Sequence, residues 1–210
     1  MIAETHPYWH VRALVKRRAD VVAVPVSYYT YRPQTIADTR TTWTIPAAEF
    51  VNADCVESVM DATPEGQEMA IHSALQIASG ERVHMVMVDM STAAKAHLAK
   101  LRTFLGDNFF QQISWYSSGR SFHGYGEALL SEAEWVKFMG LLLLANQPRL
   151  EPTVDPRWIG HRLLAGYASL RWTRNTSHYL STPTSLDQGS RQTGNSSEIG
   201  ARGRPLRSKG

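Results

Sequence analysis

The sequence predicts an α+β protein in which helices cover a mixed or antiparallel sheet. Apolar, β-branched runs of strand length and segments of helical periodicity follow one another as strand, helix, strand, strand, helix, helix, strand. The chain has 210 residues, of which 43% are hydrophobic, and this is enough for one domain with a sizeable core. We therefore expect one domain over residues 1–184 and a tail over residues 185–210.

The N-terminal third contains clear and ambiguous signals. Residues 7–19 predict a short amphipathic helix or a loop, and the β-branched and aromatic residues 21–31 predict a strand. Pro25 indicates an edge or a bulge in that strand, because proline cannot donate to a ladder. Residues 32–44 are polar and indicate an excursion from the fold. Residues 63–77 begin with Thr-Pro and carry spaced apolar side chains, which predicts a helix.

The middle of the chain predicts a strand, a helix and a hairpin. Residues 83–90 are almost continuously apolar, which predicts a central strand. Ser91 and Thr92 are candidate caps for a helix over residues 93–106. Residues 115–126, WYSSGRSFHGYG, predict two strands joined by a turn of small residues.

Two helices and a strand follow the hairpin. A capping box of Ser131 and Glu134 opens a helix that extends to residue 146, and its wide apolar face must cover the sheet. Asp155, as an N-cap followed by proline, opens a second helix that closes at Gly166. Residues 167–173 predict the last strand.

The hairpin carries polar groups suited to an anion. Alternation along its returning strand places Ser121, His123 and Tyr125 on one face. A turn of serines and glycine leaves N–H groups free to bind phosphate, and an adjacent arginine can add a bidentate cation. The candidate phosphate ligands are therefore Ser118, Gly119 and Arg120. The alternative is an ordinary hairpin with a solvated polar face.

The distribution of charge, the single cysteine and the lack of long apolar segments indicate which kinds of protein the sequence could encode. The tail holds five basic and two acidic residues, so it accounts for the whole net charge of +3. Its Gly, Ser and Arg content predicts disorder, either as a linker or terminus or as a weak polyanion-binding arm. Cys55 is the only cysteine, which excludes an internal disulfide. With no apolar leader and no apolar run long enough to span a bilayer, we expect a cytoplasmic protein without membrane contact.

Acidic and basic residues stand at the ends of predicted elements. Asp89 ends the central strand, and Asp155 precedes a helix; carboxylates in such places suit Mg²⁺ or Mn²⁺. Arg171 and Arg174, in and after the last strand, could hold a triphosphate. Each also has a plainer interpretation: Asp89 begins a turn, Asp155 only caps a helix, and the arginines form a solvated strand edge.

In this order, three segments resemble the motifs of the archaeo-eukaryotic primase superfamily, the primase-polymerases, and particularly its short plasmid, phage and mobile-element forms. That family carries Asp-x-Asp or Asp-x-Glu after a strand, a small-residue turn leading to a histidine, and a third aspartate. The matching segments are MVMVDMS (85–91), SSGRSFHGYG (117–126) and VDPRWIGHRLLAGYASLRWT (154–173). The resemblance covers residues 83–183 and implies an RRM-like primase core.

The resemblance implies a catalytic nucleotidyltransferase domain over residues 1–184. Asp89, Asp155 and Ser91 would hold Mg²⁺ or Mn²⁺, and His123 would contact the nucleotide. The residues implied to bind nucleotide phosphates are Ser118, Gly119, Arg120, His123, Arg171 and Arg174. The implied partners are nucleoside triphosphates and a single-stranded DNA template stacked on Trp172, Tyr116 or Tyr125, with a helicase or other replication protein as a further candidate.

The sequence departs from the family at Ser91, which stands where the second acid belongs. A serine hydroxyl adds no negative charge, so two metals would bind more weakly unless a carboxylate such as Glu127 substitutes. Two hypotheses therefore stay open: a DNA primase-polymerase, and a degenerate domain that binds nucleic acid or nucleotide in a replication or defence assembly. A phosphoester hydrolase is disfavoured, because no second histidine or acid cluster accompanies these residues.

Overall fold

The computed structural model describes residues 1–186, which form seven helices and nine strands. The helices are α1 (Tyr8–Arg17), α2 (Ala47–Phe50), α3 (Ala53–Asp61), α4 (Lys95–Leu105), α5 (Asp107–Phe110), α6 (Glu132–Leu144) and α7 (Pro156–Ala165). The strands are β1 (Val21–Tyr29), β2 (Arg40–Pro46), β3 (Glu68–His72), β4 (Ala74–Ile77), β5 (Arg82–Asp89), β6 (Ile113–Ser117), β7 (Phe122–Leu130), β8 (Ser169–Arg171) and β9 (Thr184–Ser185). The predicted α+β class is confirmed.

All nine strands belong to one antiparallel sheet, which branches at Ser73. β2 pairs with one side of β1, and β3 and β4 pair with its other side. The Ser73 N–H donates to the Ala168 carbonyl, and the Ser73 carbonyl accepts from the Met85 N–H, both at 2.8 Å. On either side of Ser73 the sheet therefore has different neighbours: β3 pairs with β8, and β4 pairs with β5. Strands β7, β6 and β9 follow β5.

The core lies where β5 crosses the middle of the sheet. Five consecutive residues of β5 are buried, as expected for a central strand, and β4 and β7 flank it. Helix α6 packs its buried face, including Trp135 and Met139, against the sheet, and the Ser131–Glu134 capping box forms as predicted. Hairpin strands β6 and β7 also form where expected. Of the two structures predicted for residues 7–19, a helix or a loop, the helix forms as α1.

The helix predicted over residues 63–77 is wrong, because this segment forms a turn followed by β3 and β4. All five residues of β3 are buried, whereas a helix at the surface would expose one of its faces. A short apolar run in the centre of a fold does not reveal its period, and pairing with β1 overrides the helix propensity of Met69 and Ala70.

The polar excursion predicted over residues 32–44 is partly wrong, because β2 begins at Arg40. Its Thr-rich sequence is β-branched, and one side of β1 was open to it. Consequently β1 is not an edge strand. Pro25 lies between the residues paired with β4 and those paired with β3, where no ladder hydrogen bond from its nitrogen is needed.

Three smaller predictions concern a helix cap, the domain boundary and the tail. Ser91 and Thr92 do not cap α4, whose N-cap is Ala94 without a side-chain bond. The predicted domain boundary cuts through β9, which pairs with β6. The rest of the tail predicted to be disordered, from residue 187 onward, lies outside the described residues. Within residues 1–186, the helices are too short and too polar to cross a bilayer.

The close approach of β7 to β5 predicts opposite effects for two glycine substitutions. A Cβ at Gly126 would lie 2.7 Å from the Val86 Cβ, whereas a Cβ at Gly140 in α6 meets nothing within 4 Å. We expect Gly126→Ala to lower the free energy of unfolding by about 1–3 kcal/mol, and Gly140→Ala to raise it by about 0.5–1 kcal/mol. Urea unfolding measures both, and equal effects would contradict this close packing.

Candidate active site

A cavity of about 380 Å³ opens at the ends of β5 and β8. Its walls come from the end of β5, the turn before β7, the first two turns of α7, strand β8, Ala70 of β3, and the loops after β1 and β8. The sequence-predicted residues that line it are Asp89, Ser91, Ser118, Arg120, His123, Asp155 and Arg171. Residues more than 80 positions apart in the chain thus share one site.

Backbone pairing brings the two candidate acids together. The Asp155 N–H donates to the Asp89 carbonyl at 2.9 Å, and Met90 forms an isolated antiparallel bridge with Val154. The Asp155 carboxylate also caps α7, because one of its oxygens accepts the N–H groups of Arg157 at 2.8 Å and Trp158 at 3.1 Å. Asp155 is therefore the N-cap of α7, as predicted, and it also lines the cavity.

Asp89 is held in an unfavourable electrostatic environment. Its side chain is 22% exposed, and burial followed by the nearby charge of Asp155 raises its pKa to about 7. The Ser121 hydroxyl opposes this shift by donating to the Asp89 carboxylate at 3.3 Å. Two carboxylates that repel each other in a partly buried cavity are typical of a cation-binding site.

His123 faces Asp89 directly across the β5–β7 ladder. Its Nε2 lies 3.7 Å from the Asp89 carboxylate, too far for a hydrogen bond. Burial, followed by the charge of Arg171, lowers the pKa of His123 to about 3, so the imidazole is neutral at physiological pH. Its Nδ1 is buried and has no hydrogen-bond partner among residues 1–186.

Hydrogen bonds within the hairpin turn stabilise it, and its arginine is exposed. The Ser118 N–H donates to the Ser121 carbonyl at 2.9 Å, and the two hydroxyls lie 2.9 Å apart. Gly119 takes a φ of 104°, which favours glycine, but it does not line the cavity. Arg120 is exposed at the cavity wall, so it is free to contact an anion.

Arg171 is buried and ties three segments together. It donates to the carbonyls of Ser118 at 2.9 Å and Ser181 at 3.0 Å, and also to Thr173. Its guanidinium lies 4.0 Å from the centre of the Tyr179 ring, and it forms no ion pair within the described residues. Its positive charge therefore faces the cavity without a carboxylate partner in contact, which favours an anionic ligand.

Arg174, Glu127 and the predicted stacking residues lie elsewhere. Arg174 is exposed outside the cavity lining and donates to the Tyr179 carbonyl. Glu127 is exposed beside Arg17, at 3.8 Å, so it does not replace the missing acid. The aromatic side chains predicted to stack template are buried in the core, which excludes that role: Trp172, Tyr116 and Tyr125.

Several cavity residues were missed by the sequence analysis. Six arginines line the cavity against three aspartates, which makes its wall positive overall. The members not predicted are Arg32, Asp38, Arg40, Arg157 and Arg162. Three come from the segment interpreted as an excursion. A signal existed in α7, where Trp158, His161 and Arg162 recur at helical spacing on one face.

The donor set suits one divalent cation better than two. Asp89 and Asp155 supply two carboxylates, and Ser91 lines the cavity beside them. Residues 1–186 contain no cluster of three His, Cys, Asp or Glu side chains arranged to hold a metal. Mg²⁺ commonly takes one or two protein carboxylates and completes its shell with water and phosphate, so these residues fit a single ion of that kind.

Comparison with known families agrees with this arrangement. Residues 48–184, well over half of the chain, match the AEP-like family model, described as archaeo-eukaryotic primase 1D-like. The chain belongs to the archaeo-eukaryotic primase superfamily. No curated protein and no solved structure matches it. Membership of this superfamily supports a nucleotidyltransferase of the primase kind, and the matched range contains both acids, His123 and the hairpin turn of this primase-like domain.

The raised pKa of Asp89 predicts that its ionised carboxylate lowers the free energy of unfolding. An acid whose folded-state pKa is raised from 3.8 to about 7 loses stability as pH rises through this window. Asp89→Asn should therefore raise the free energy of unfolding by about 2–4 kcal/mol at pH 8, and by much less at pH 4. Denaturant unfolding in EDTA measures this, with Glu127→Gln as the exposed control. A gain independent of pH would contradict the assignment.

Proposed function

We propose that this protein is a primase-polymerase, which joins nucleoside triphosphates into a short strand on a single-stranded DNA template. One observation carries the proposal: the cavity of a primase-superfamily member holds two adjacent carboxylates, a neutral histidine and an excess of arginines. Carboxylates suit a divalent cation, and arginines suit the several negative charges of a triphosphate.

The acids would bind Mg²⁺ or Mn²⁺ together with the triphosphate. Asp89 and Asp155 are the proposed ligands, with the Ser91 hydroxyl as a neutral third group. When bound, the cation would neutralise phosphate charge and make the attacking 3′-hydroxyl more acidic. Because Asp155 is also fixed by two N–H donors of α7, its carboxylate is oriented before any ligand arrives.

The histidine and the arginines would hold the triphosphate. His123 lines the cavity, and its Nε2 lies 3.7 Å from the Asp89 carboxylate without a hydrogen bond, so a neutral imidazole has a donor or an acceptor to offer a nucleotide. Arg120 is exposed at the wall and can move to a phosphate oxygen, whereas Arg171 is locked by carbonyls and adds a fixed charge. The 3′-oxygen would attack the α-phosphorus, and pyrophosphate would leave as the phosphoanhydride bond breaks.

A second function is favoured by Ser91. With serine at the family's second acidic position, and with Glu127 outside the cavity, the described residues offer a metal two candidate carboxylates at this junction, Asp89 and Asp155. The alternative is a domain that binds nucleotide or single-stranded DNA without polymerising. In that case it would act within a replication or defence assembly, with a helicase or another replication protein as the active partner.

Nucleotide incorporation on a single-stranded template, with Mg²⁺ and with Mn²⁺, distinguishes the two functions. We expect metal-dependent products from the wild type and at least a 100-fold loss in Asp155→Asn. Asparagine keeps the helix cap, so the free energy of unfolding should stay within about 0.5 kcal/mol. Asp155→Ala should lose the cap as well, at a cost of about 1 kcal/mol.

Glu127→Gln is the control for this experiment, because it removes an exposed carboxylate outside the cavity. It should keep wild-type incorporation. Wild-type rates in Asp155→Asn would remove this residue from the metal site. No product from the wild type with either metal, while nucleotide still binds, would favour the binding domain.

Two arginines named by the sequence should differ in nucleotide binding. Arg120 lines the cavity and Arg174 does not. We expect Arg120→Ala to weaken binding of ATP about 5- to 10-fold, since a charge-assisted hydrogen bond is lost from an exposed position. Arg174→Ala should change the affinity less than about twofold. Isothermal titration with Mg²⁺ measures both, and equal losses would indicate nonspecific attraction instead.

A further inference from the structure

Three aromatic rings meet at the mouth of the cavity. The rings of Tyr31 and His178 are stacked, with centroids 4.3 Å apart and planes inclined by 29°. Tyr179 lies edge-on to His178 at 4.8 Å and tilted to Tyr31 at 6.0 Å. All three residues line the same cavity as Asp89 and Asp155. We call Tyr31 and His178 the aromatic pair.

The segment that carries His178 is firmly anchored by the Glu68 carboxylate, which is fully buried. This carboxylate accepts hydrogen bonds from the Thr173 hydroxyl at 2.5 Å, the Asn175 N–H at 2.9 Å and the Thr176 N–H at 2.8 Å. A buried acid with this many donors fixes the loop after β8. The His178 side of the aromatic pair is therefore anchored before a ligand binds.

Tyr179 anchors the same segment through a second set of contacts. Its hydroxyl lies 3.0 Å from the Tyr29 hydroxyl, and its ring packs on the Arg171 guanidinium. Arg171 also binds the carbonyls of Ser118 and Ser181, so the loop that carries His178 is tied to the hairpin turn and to β8. A ligand whose phosphates contact the turn would thus meet the aromatic pair at a defined place.

Tyr31 presents an open ring surface. It is 44% exposed, whereas the aromatic side chains of the nearby core are almost completely buried. The imidazole beside it is neutral at physiological pH, because burial and the charges of Arg120 and Arg171 lower its pKa. A neutral ring backs a tyrosine by stacking, and the open face remains available to a planar group. An exposed aromatic ring beside a positive cavity is the arrangement that binds bases of nucleotides.

We propose that the open face of Tyr31, backed by His178, is a nucleobase platform. The ligand is a purine or pyrimidine base, either of a free nucleoside triphosphate or of single-stranded DNA. The proposal rests on the proposed function for its ligand class, since both functions named above require a base near the phosphate contacts. It assigns a role to residues that the family motifs do not include.

The test measures binding of ligands with and without bases, in the presence of Mg²⁺. The ligands are ATP, inorganic tripolyphosphate, oligothymidylate and an abasic oligonucleotide of equal length. The variants are Tyr31→Ala, Tyr31→Phe and Phe104→Ala, the last an exposed aromatic control outside this cavity. We expect Tyr31→Ala to weaken a base-containing ligand about 10-fold, with Tyr31→Phe within about twofold of wild type.

Each outcome shows whether the platform exists and, if it does, whether its base belongs to a free nucleotide or to a DNA strand. A selective loss of ATP affinity supports a platform for the incoming nucleotide, and a selective loss of oligothymidylate affinity supports one for the strand. Equal losses for base-containing and base-free ligands, no loss at all, or a wild type that binds none of the ligands would overturn the proposal. Unfolding measurements on the same variants identify a loss caused by altered folding, for which Tyr31→Phe serves as the intact-fold reference.

Incorporation assays on the same variants separate this proposal from the proposed function. If the wild type makes no product while Tyr31→Ala selectively loses base binding, the polymerase proposal fails and the platform stands. If the wild type polymerises while Tyr31→Ala keeps its affinity for every ligand, the platform fails and the polymerase stands.

Discussion

The bond from the Asp155 N–H to the Asp89 carbonyl brings together the two acids on which the candidate site depends. It joins the last residue of β5 to the residue before α7, and the adjacent Met90–Val154 bridge extends this junction. This pairing keeps the backbones of both acids together, and the charge of Asp155 acts on the Asp89 carboxylate. Burial, followed by the nearby charge of Asp155, raises the pKa of Asp89, so this junction lowers stability when the carboxylate is ionised. A bound cation, as proposed above, would offset that cost.

Positive charge in the cavity is arranged in two ways. Arg171 and Arg162 are buried and bonded to neighbouring groups, so they contribute fixed charge and hold loops in place. Arg120 is exposed and has room to follow a ligand. Fixed charges lower the reorganisation needed on binding, and mobile ones adapt to the phosphate that arrives. Under the proposed function, this division would suit a triphosphate whose β- and γ-phosphates later leave as pyrophosphate.

The sequence predicted those features that depend on local signals. The hairpin, the Ser131 cap, the Asp155 cap and the buried strand before Asp89 all follow from residue patterns a few positions long. The errors occurred where distant pairing decided the structure. Residues 68–77 became strands because β1 was beside them, and the loop after β1 contacts α7 through the ion pair of Asp38 with Arg162.

The buried Glu68 carboxylate has a consequence for the order in which the protein folds. It binds donors that lie 105 to 108 positions further along the chain, so its bonds cannot form until β8 has found β3. Contacts of such sequence separation form late and slowly, because a long loop must close first. We therefore expect intermediates with a formed hairpin and β5 but with an unfinished cavity, so that the cavity is completed only in the last step.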